Sequence, residues 1–318
     1  MTPQRHRDQF LATVADNLPL CRDHFRLILA LPHFPETKPG HFIQIACDDV
    51  DSESEPAAPV DWEPGMRPNL RGREIISPRA MLRRPFSLAG RRNIGGRVEL
   101  DIIHRVVGLG TTWLAALKKG DTVGILGPLG NIFQLPPTNG TALLVGGGVG
   151  IPPMIYLAAH LAQSSAVAFA GSVTRDLLPL AVTSDADANA EPRPCIGEFS
   201  AHGIPTVIAT DDGSFGYRGF VTQALETFLD RAEPNRPTLY TCGPEAMMKR
   251  VADIALSRGI PCQVAVERAM ACGMGTCQSC CIRVRKKHPA QTPLPGSDWC
   301  YRLACTDGPI FQAAELLW

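Results

Sequence analysis

The stretch that decides the fold is Met270-Ala271-Cys272-Gly273-Met274-Gly275-Thr276-Cys277-Gln278-Ser279-Cys280. Its three cysteines are five and three positions apart, and two glycines lie between the first two of them. When a fourth cysteine follows at a distance, this is the plant-type spacing of a [2Fe–2S] cluster. Gly273 and Gly275 support this interpretation, because a loop around a cluster must turn its backbone N–H groups toward the sulfur atoms, which glycine does without steric cost.

Two other uses of these cysteines are less favoured. Tetrahedral zinc sites usually take two close Cys-x2–4-Cys pairs, and the second pair is missing here. Disulfides are not expected, because the sequence shows no secretory signal pattern and a reducing cytosol keeps thiols free. Spacing alone leaves the fourth ligand open, since Cys281, Cys300 and Cys305 all follow the motif. Cysteines that do not bind the cluster are expected to be small buried hydrophobic residues.

Length and composition point to a chain of several domains. At 318 residues it is about twice a typical domain, so two or three domains are expected. Basic and acidic side chains balance at 31 each, which gives no indication of nucleic acid or an acidic membrane surface as a partner. No apolar run approaches the ~18 residues that span a bilayer. We therefore expect a cytoplasmic protein whose partners are small molecules or another protein.

The N-terminal third has the pattern of an all-β unit. Apolar residues run or alternate over 25–30, 40–46 and 97–103, with glycine and proline between these segments. Short strands of this kind predict a barrel. The composition changes over about 48–80, where acidic residues followed by prolines cannot bury enough apolar surface to order themselves. We expect a solvated insertion there.

Two motifs in this unit have the chemistry of a nucleotide site. Arg84-Pro85-Phe86-Ser87 presents a fixed charge and a hydroxyl from an extended strand, which suits the phosphate and the ring of a flavin nucleotide. Gly110-Thr111-Thr112 is predicted to open a helix that reaches Leu117, and the N–H groups of its first turn suit a pyrophosphate. Either motif alone is more often an ordinary strand edge or helix start, but the two in this order are far less ordinary.

After Pro136-Pro137 the pattern changes to alternating strands and helices. Thr141–Val145 is a continuous apolar strand that runs directly into the turn Gly146-Gly147-Gly148-Val149-Gly150. Proline just after this turn predicts the start of a helix. The turn is weak evidence by itself, because Ile151 stands where the dinucleotide fingerprint has its third glycine. Further strands are predicted at 167–170, 206–210, 238–241 and 263–266, with a helix at 245–258, which together indicate a doubly wound nucleotide-binding sheet.

The two nucleotide-site motifs, followed by residues 120–131, resemble the flavin-binding barrel of the ferredoxin–NADP reductase superfamily. That superfamily also has a glycine-rich turn followed by proline and a later Cys-Gly-Pro turn, which Cys242-Gly243-Pro244 matches. The resemblance implies FAD contacts from Arg84, Pro85, Phe86, Ser87, Ile103, His104, Arg105, Gly110 and Thr111. It implies NAD contacts from Gly146, Gly147, Gly148, Gly150, Asp212, Gly243 and Pro244. Cys242 is the candidate catalytic residue, with simple packing as the alternative.

The order of the three parts resembles the family of electron-transfer subunits of NAD-linked dihydroorotate dehydrogenase. Residues 267–277 and the turn around Asp307-Gly308-Pro309 carry this resemblance. In that family the cysteine before the Asp-Gly-Pro turn is the fourth cluster ligand, so the implied set is Cys272, Cys277, Cys280 and Cys305. The expected fold is a multidomain α+β chain. It has an antiparallel β-barrel FAD domain at 1–137, an α/β parallel-sheet NAD domain at 138–262 and a short [2Fe–2S] cluster domain at 263–318.

The resemblance implies an oxidoreductase subunit that cannot oxidise dihydroorotate alone. An FMN-containing dihydroorotate dehydrogenase catalytic subunit would be its partner in pyrimidine biosynthesis, in a heterotetramer with two copies of each chain. Electrons would cross the cluster and FAD to reach NAD. Arg175 leaves the choice between NAD and NADP open, because it could meet a 2′-phosphate or cap a helix. Insertions are expected at about 48–80 and 181–203.

Three other functions are weighed against this one. A subunit of a soluble hydrogenase or of an NAD(P)H–ferredoxin oxidoreductase shares the short tail and is the main alternative. Oxygenase reductases fit less well, since Cys272 follows Pro261 too closely to leave room for their ferredoxin domain. A binding module held together by zinc would do no redox work, and the colour of the purified protein distinguishes it from an iron–sulfur flavoprotein.

Overall fold

The computed structural model of the chain describes residues 8–48, 80, 82–161, 165–285 and 298–318. The acidic insertion predicted at about 48–80 lies outside the described residues except at its two ends. No helix in the described part of the chain is both long enough and apolar enough to cross a membrane.

The N-terminal part is a seven-stranded antiparallel sheet around an apolar interior. Its strand order is β4-β3-β7-β1-β2-β6-β5. The strands are β1 (Asp8–Cys21), β2 (His24–Leu31), β3 (Phe42–Ile45), β4 (Arg84–Ser87), β5 (Gly90–Ile94), β6 (Arg97–Arg105) and β7 (Thr122–Leu129). One helix, α1 (Leu109–Ala116), lies between β6 and β7. Side chains alternate across the sheet, so Leu27, Leu29, Leu100 and Ile102 all reach the buried interior.

The central part is a second seven-stranded sheet, in the order β11-β10-β9-β8-β12-β13-β16. Its strands are β8 (Thr141–Gly147), β9 (Ser165–Ser172), β10 (Thr206–Thr210), β11 (Tyr217–Arg218), β12 (Thr238–Cys242), β13 (Cys262–Ala265) and β16 (Ile310–Gln312). The helices are α2 (Ile151–Ala158), α3 (Gly197–Ser200), α4 (Val221–Arg231) and α5 (Glu245–Ser257). Every residue of β8 is buried, as expected for a strand covered on both faces. The strand and helix positions expected in this part are confirmed to within two residues at most ends.

The C-terminal part is attached to both sheets. Its own hairpin pairs β14 (Cys281–Arg285) with β15 (Trp299–Leu303), and β16 then joins β13 as an antiparallel edge strand of the central sheet. Asn131, just after β7, connects the C-terminal part to the barrel through side-chain hydrogen bonds. Its side-chain amide donates to the carbonyl oxygens of Asp307 at 3.0 Å and Ile310 at 2.8 Å, and its Oδ1 accepts the N–H of Ile310 at 2.8 Å.

The segment expected as an insertion at 181–203 is folded onto the central sheet. Val182 bridges to Ile196, and Arg193 bridges to Thr206 at the start of β10. Cys195 and Phe199 are almost fully buried. The segment therefore adds to the apolar core of the central part.

Two of the cysteines expected to be buried are not. Cys47, Cys195, Cys242, Cys262 and Cys300 are buried, but Cys21 is half-buried and Cys281 is exposed. The expectation was wrong for Cys281 because side chains of β14 alternate, and those at its odd-numbered positions point to solvent.

Candidate cofactor and cluster site

The loop after β13 turns its backbone inward around the Cys272 sulfur atom. Gly273 and Gly275 have φ angles of 67° and 90°, a region in which glycine is favoured. Backbone N–H groups of Met274 and Cys277 both donate to Cys272 Sγ, each across 3.4 Å from nitrogen to sulfur. This is the arrangement that the two glycines predict.

The four predicted ligands lie as two pairs. Cys277, next to Cys272, is exposed, and its Sγ is 3.2 Å from Ser279 Oγ. This hydroxyl and the N–H groups of the loop lower the pKa of the Cys277 thiol to about 6. Cys280 and Cys305 form an inner pair that is almost fully buried. Burial and the neighbouring Cys280 raise the pKa of Cys305 to about 12, against the opposing effect of the Gly275 N–H.

This donor set fits a two-iron cluster better than a single metal ion. Among the described residues, no three Cys, His, Asp or Glu side chains converge closely enough to hold one ion. A tetrahedral zinc site would need four such side chains at one point. Two pairs of cysteines, in contrast, offer two thiolates to each iron of a [2Fe–2S] cluster.

The two other nearby cysteines are placed differently. Cys281 opens β14 and points to solvent, while Cys300 is buried on β15 opposite Val284. Cys300 packs in the same apolar cluster as Cys280 and Cys305. The hydroxyl of Ser279 is the neighbour that sequence reasoning missed, although it stands inside the quoted motif.

The predicted flavin residues line one edge of the barrel. All four residues of β4 are half-buried, and β4 pairs with β3. The His104 ring on β6 is 5.8 Å from the Phe25 ring, with the two stacked, and 6.1 Å from Phe86 on β4. Arg84 donates to the carbonyl oxygen of Leu82 across 2.9 Å.

Unpartnered polar atoms at this edge fit a ligand rich in hydrogen-bonding groups. Both ring nitrogens of His104, Nη1 of Arg83 and Nε of Arg105 are buried and have no hydrogen-bond partner among the described residues. Buried polar groups are normally paired, so this concentration at one edge is unusual for a purely structural region. Ile103, also a predicted contact, is buried between the barrel and the central sheet.

The start of α1 leaves its first N–H groups available. Thr112 is the first residue whose N–H bonds back into this helix, to the carbonyl oxygen of Gly108 across 2.9 Å. The Thr111 hydroxyl is engaged locally, because it accepts the N–H groups of Val107 and Gly108 at 2.9 and 3.1 Å. Gly110 is buried, and a Cβ built on it would be 3.2 Å from Cys47 Cβ. A phosphate at this site would therefore meet backbone N–H groups.

The glycine-rich turn after β8 and the turn after β12 pack backbone against backbone. A Cβ on Gly150 would stand 2.2 Å from the carbonyl oxygen of Cys242, and a Cβ on Gly243 would stand 3.1 Å from the backbone nitrogen of Gly147. A Cβ on Gly146 would be 2.9 Å from Cα of Ile151. The glycines thus allow close contact between two turns at the carboxyl ends of neighbouring strands, where open α/β sheets bind their ligands.

Cys242 and Asp212 occupy different surroundings. Cys242 is buried at the end of β12, and burial raises the pKa of its thiol to about 12, with the charge of Glu267 acting in the same direction. It is therefore a protonated thiol at neutral pH. Asp212 is exposed, and its Oδ1 accepts the N–H and hydroxyl of Ser214 at 3.0 and 2.6 Å, which holds the pKa of the carboxyl below its usual range.

Asp212 borders a cavity of about 700 Å³ between the central sheet and the end of β1. Arg175 lines the same cavity, with its guanidinium carbon 4.3 Å from the centre of the Phe215 ring. Strand β9 separates β10 from β8, so Asp212 stands about 10 Å, or two strand spacings, from the glycine-rich turn. An extended dinucleotide could span that distance.

Acidification is expected to destabilise the barrel through His104. Burial lowers the pKa of His104 from 6.5 to about 4. Between these two values the unfolded chain binds a proton that the folded chain does not, so the free energy of unfolding falls as the pH drops through this window. The shift corresponds to about 3 kcal/mol.

Urea unfolding of wild type and His104→Phe, each at about pH 7 and about pH 4.5, checks this expectation. The phenylalanine variant should lose less stability than wild type between the two conditions. Equal losses would show that His104 does not carry the acid sensitivity.

Two family models match separate parts of the chain, and curated relatives match most of its length. Residues 267–317 match the family model of the iron-sulfur cluster binding domain of dihydroorotate dehydrogenase B, and residues 144–253 match that of the oxidoreductase NAD-binding domain. The dihydroorotate dehydrogenase B (NAD(+)) electron transfer subunit of Geobacillus thermodenitrificans is 38% identical over 80% of this chain and 87% of its own length. The protein of the same name from Geobacillus sp. strain WCH70 is 32% identical over 96% and 97%.

A solved structure extends the comparison to the whole fold. The structure of an NADH-dependent reduced ferredoxin-NADP oxidoreductase superposes with a TM-score of 0.70 at 25% identity, and it covers 97% of this chain and 90% of its own. The predicted architecture is therefore confirmed as a ferredoxin–NADP reductase-like fold with a parallel-sheet nucleotide unit and a C-terminal iron–sulfur part.

Proposed function

The chain belongs to the family of dihydroorotate dehydrogenase B electron transfer subunits, and we propose that it passes electrons from a dihydroorotate-oxidising partner to NAD+ in pyrimidine biosynthesis. Its cofactors are FAD, a [2Fe–2S] cluster and NAD. The observation that carries the proposal is the pairing of Cys272 with Cys277 and of Cys280 with Cys305, on a tail that matches the family's own cluster domain.

The chain's own residues hold and separate the cofactors. When bound, FAD supplies hydride exchange with the nicotinamide, and the cluster supplies one-electron transfer. The FAD contacts that we propose are Arg84, Pro85, Phe86, Ser87, Ile103, His104, Arg105, Gly110 and Thr111. The proposed boundaries are 1–137 for the FAD unit, 138–262 for the NAD unit and 263–318 for the cluster unit.

At the NAD site, most of the proposed contacts come from the backbone. We propose that Gly146, Gly147, Gly148, Gly150, Gly243 and Pro244 form the surface against which the dinucleotide lies, with Asp212 at the far end. Burial raises the pKa of the Cys242 thiol well above its usual range. In the proposed catalytic role it therefore acts as a neutral thiol that packs against and positions the nicotinamide, and it does not act as a nucleophile.

We propose that electrons enter at the exposed edge of the loop over residues 272–280, the cluster loop. Met274 is 55% exposed, and Cys277 beside it is also exposed, whereas the Cys280–Cys305 pair faces the core. This exposure supports a partner docking at that edge of the loop. We propose that the partner is an FMN-containing catalytic subunit, that two copies of each chain assemble, and that the complex works in the cytoplasm.

A second candidate has one observation in its favour. The solved structure with the same overall fold is described as a ferredoxin-NADP oxidoreductase, so a ferredoxin-type protein could replace the catalytic subunit as electron donor. The matching tail favours the first candidate, because its family model is that of dihydroorotate dehydrogenase B.

The deciding experiment mixes purified proteins. This chain, the catalytic dihydroorotate dehydrogenase subunit of the same organism and their mixture are each supplied with dihydroorotate and NAD+ without air. NADH should form only in the mixture, and the two chains should co-elute. If reduced ferredoxin supports NADH formation and the mixture with the catalytic subunit does not, the second candidate replaces the first.

A further inference from the structure

Gln44 is a buried amide between β4, the strand with proposed FAD contacts, and the cluster loop, which carries Cys272, Cys277 and Cys280. It lies on β3, where its Cα partners are Pro85 on β4 and Leu126 on β7. Its side chain is completely buried. Neither Nε2 nor Oε1 has a hydrogen-bond partner among the described residues. The alternation of this segment predicts a polar side chain facing solvent, which is why the sequence gives no signal for it.

The amide lies directly beneath the cluster loop. A Cβ built on Gly273 would stand 2.6 Å from Gln44 Oε1 and 2.8 Å from Gln44 Cδ, so any other residue there would require the buried amide to shift. Gly273 follows Cys272 in the chain, and its φ of 67° turns the loop over the amide. Leu129 Cδ1 would stand 3.2 Å from the same Cβ, so an apolar side chain of the barrel also packs against Gly273.

An amide in this place is unexpected on packing grounds alone. A buried donor and acceptor that are both unpaired cost free energy, which methionine or leucine of similar size would avoid. Rotation of the amide about its last bond exchanges oxygen and nitrogen, so the donor can face the loop. The loop already directs two N–H groups at Cys272 Sγ, and a Gln44 donor turned toward Gly273 would approach the same loop.

We propose that the Gln44 amide donates a hydrogen bond to the sulfur atoms on the Cys272 side of the cluster and thereby raises the cluster's reduction potential. The inference rests on the proposed function, since it requires a cluster in this loop. Hydrogen bonds to cluster sulfurs stabilise the reduced form, which carries the greater negative charge. Gln44 would thus tune the cluster from β3, the strand that pairs directly with β4.

The test is an anaerobic redox titration of the holoprotein, followed by EPR. Gln44→Met keeps the length of the side chain and removes the donor. Its cluster and FAD contents should equal those of wild type, while the equilibrium constant for cluster reduction falls about tenfold, which is about 59 mV for one electron. The flavin potential should not change.

A matched control and a second variant keep the result decisive. Thr206, on β10 away from the loop, is also buried with an unpartnered hydroxyl, so Thr206→Val should leave the cluster potential unchanged. Gln44→Leu also removes the donor and stays apolar, so it should shift the potential in the same direction as Gln44→Met. In wild type with ¹⁵N in its glutamine side chains, pulsed EPR of the reduced cluster should detect an amide nitrogen.

Several outcomes would overturn the proposal. These are loaded Gln44 variants with the wild-type potential, an equal shift in Thr206→Val, and absence of any ¹⁵N coupling in wild type. The last of these decides the matter if neither Gln44 variant folds. A wild-type chain that purifies with neither iron nor flavin would instead contradict the proposed function, which separates the two failures.

Discussion

Cys305→Ser is expected to abolish the visible and EPR signals of the cluster while FAD remains bound. A thiolate ligand to iron is replaced by a hydroxyl, which changes the bond length and the charge at the metal. Cys305 is also the buried partner of Cys280, so its loss leaves one iron with a single protein ligand. The same loss or severe distortion is expected from serine at Cys272, Cys277 or Cys280.

Cys281→Ser and Cys300→Ser are the matched controls for this series. Cys281 points to solvent from β14, and Cys300 packs opposite Val284, so neither change should reach the cluster. Iron content, the visible spectrum and EPR of the reduced protein are measured for all six variants. A cluster that survives Cys305→Ser and disappears in Cys300→Ser would mean that the fourth ligand is assigned wrongly.

Gly150→Val should strongly slow NADH-dependent reduction of the flavin. Its first added atom would stand 2.2 Å from the carbonyl oxygen of Cys242 and 2.4 Å from the nitrogen of Gly243, and neither backbone atom can move aside freely. The cost lies at or above the ~1–3 kcal/mol that overpacking usually costs. Because the two turns must separate, the surface proposed for the dinucleotide is lost, and the flavin reduction rate should fall by at least about tenfold.

Gly197→Ala is the control for this substitution. A Cβ at Gly197, at the start of α3, would make ordinary contacts of 3.5 to 3.6 Å with Ala181 and Thr183. Stopped-flow reduction by NADH and FAD content should match wild type there. In Gly150→Val, FAD content should stay unchanged, since the barrel provides the proposed FAD contacts. Normal reduction by NADH in that variant would argue against the placement of the NAD site.

Local chemistry explains which features could be predicted from the sequence. The spacing of Cys272, Cys277 and Cys280 is a property of one loop, so it can be recognised without knowledge of the fold. The strands of the central sheet are equally visible, because a strand such as Thr141–Gly147 is apolar on both faces. The glycine-rich turn is weak evidence for a nucleotide site as a sequence motif. Its contact with the turn after Cys242, which the structure shows, is what supports that site.

Features that depend on distant parts of the chain could not be derived in this way. Cys305 was chosen by resemblance, because its pairing with Cys280 depends on how β14, β15 and β16 fold back together. Gln44 gave no signal, since a polar residue in an alternating strand predicts exposure, whereas here the cluster loop covers it. The packing of 181–203 onto the central sheet was equally invisible, because its few bridges join separate segments.

The most direct test of the proposed electron transfer is an anaerobic NADH titration of the purified full chain, followed by visible absorption and EPR. NADH should bleach the flavin band and produce the EPR signal of a reduced [2Fe–2S] cluster in the same chain. Complete reduction with dithionite should consume about three electrons per chain, two for the flavin and one for the cluster. A flavin and cluster that both remain oxidised with NADH, or a chain that accepts only two electrons and gives no EPR signal, would contradict it.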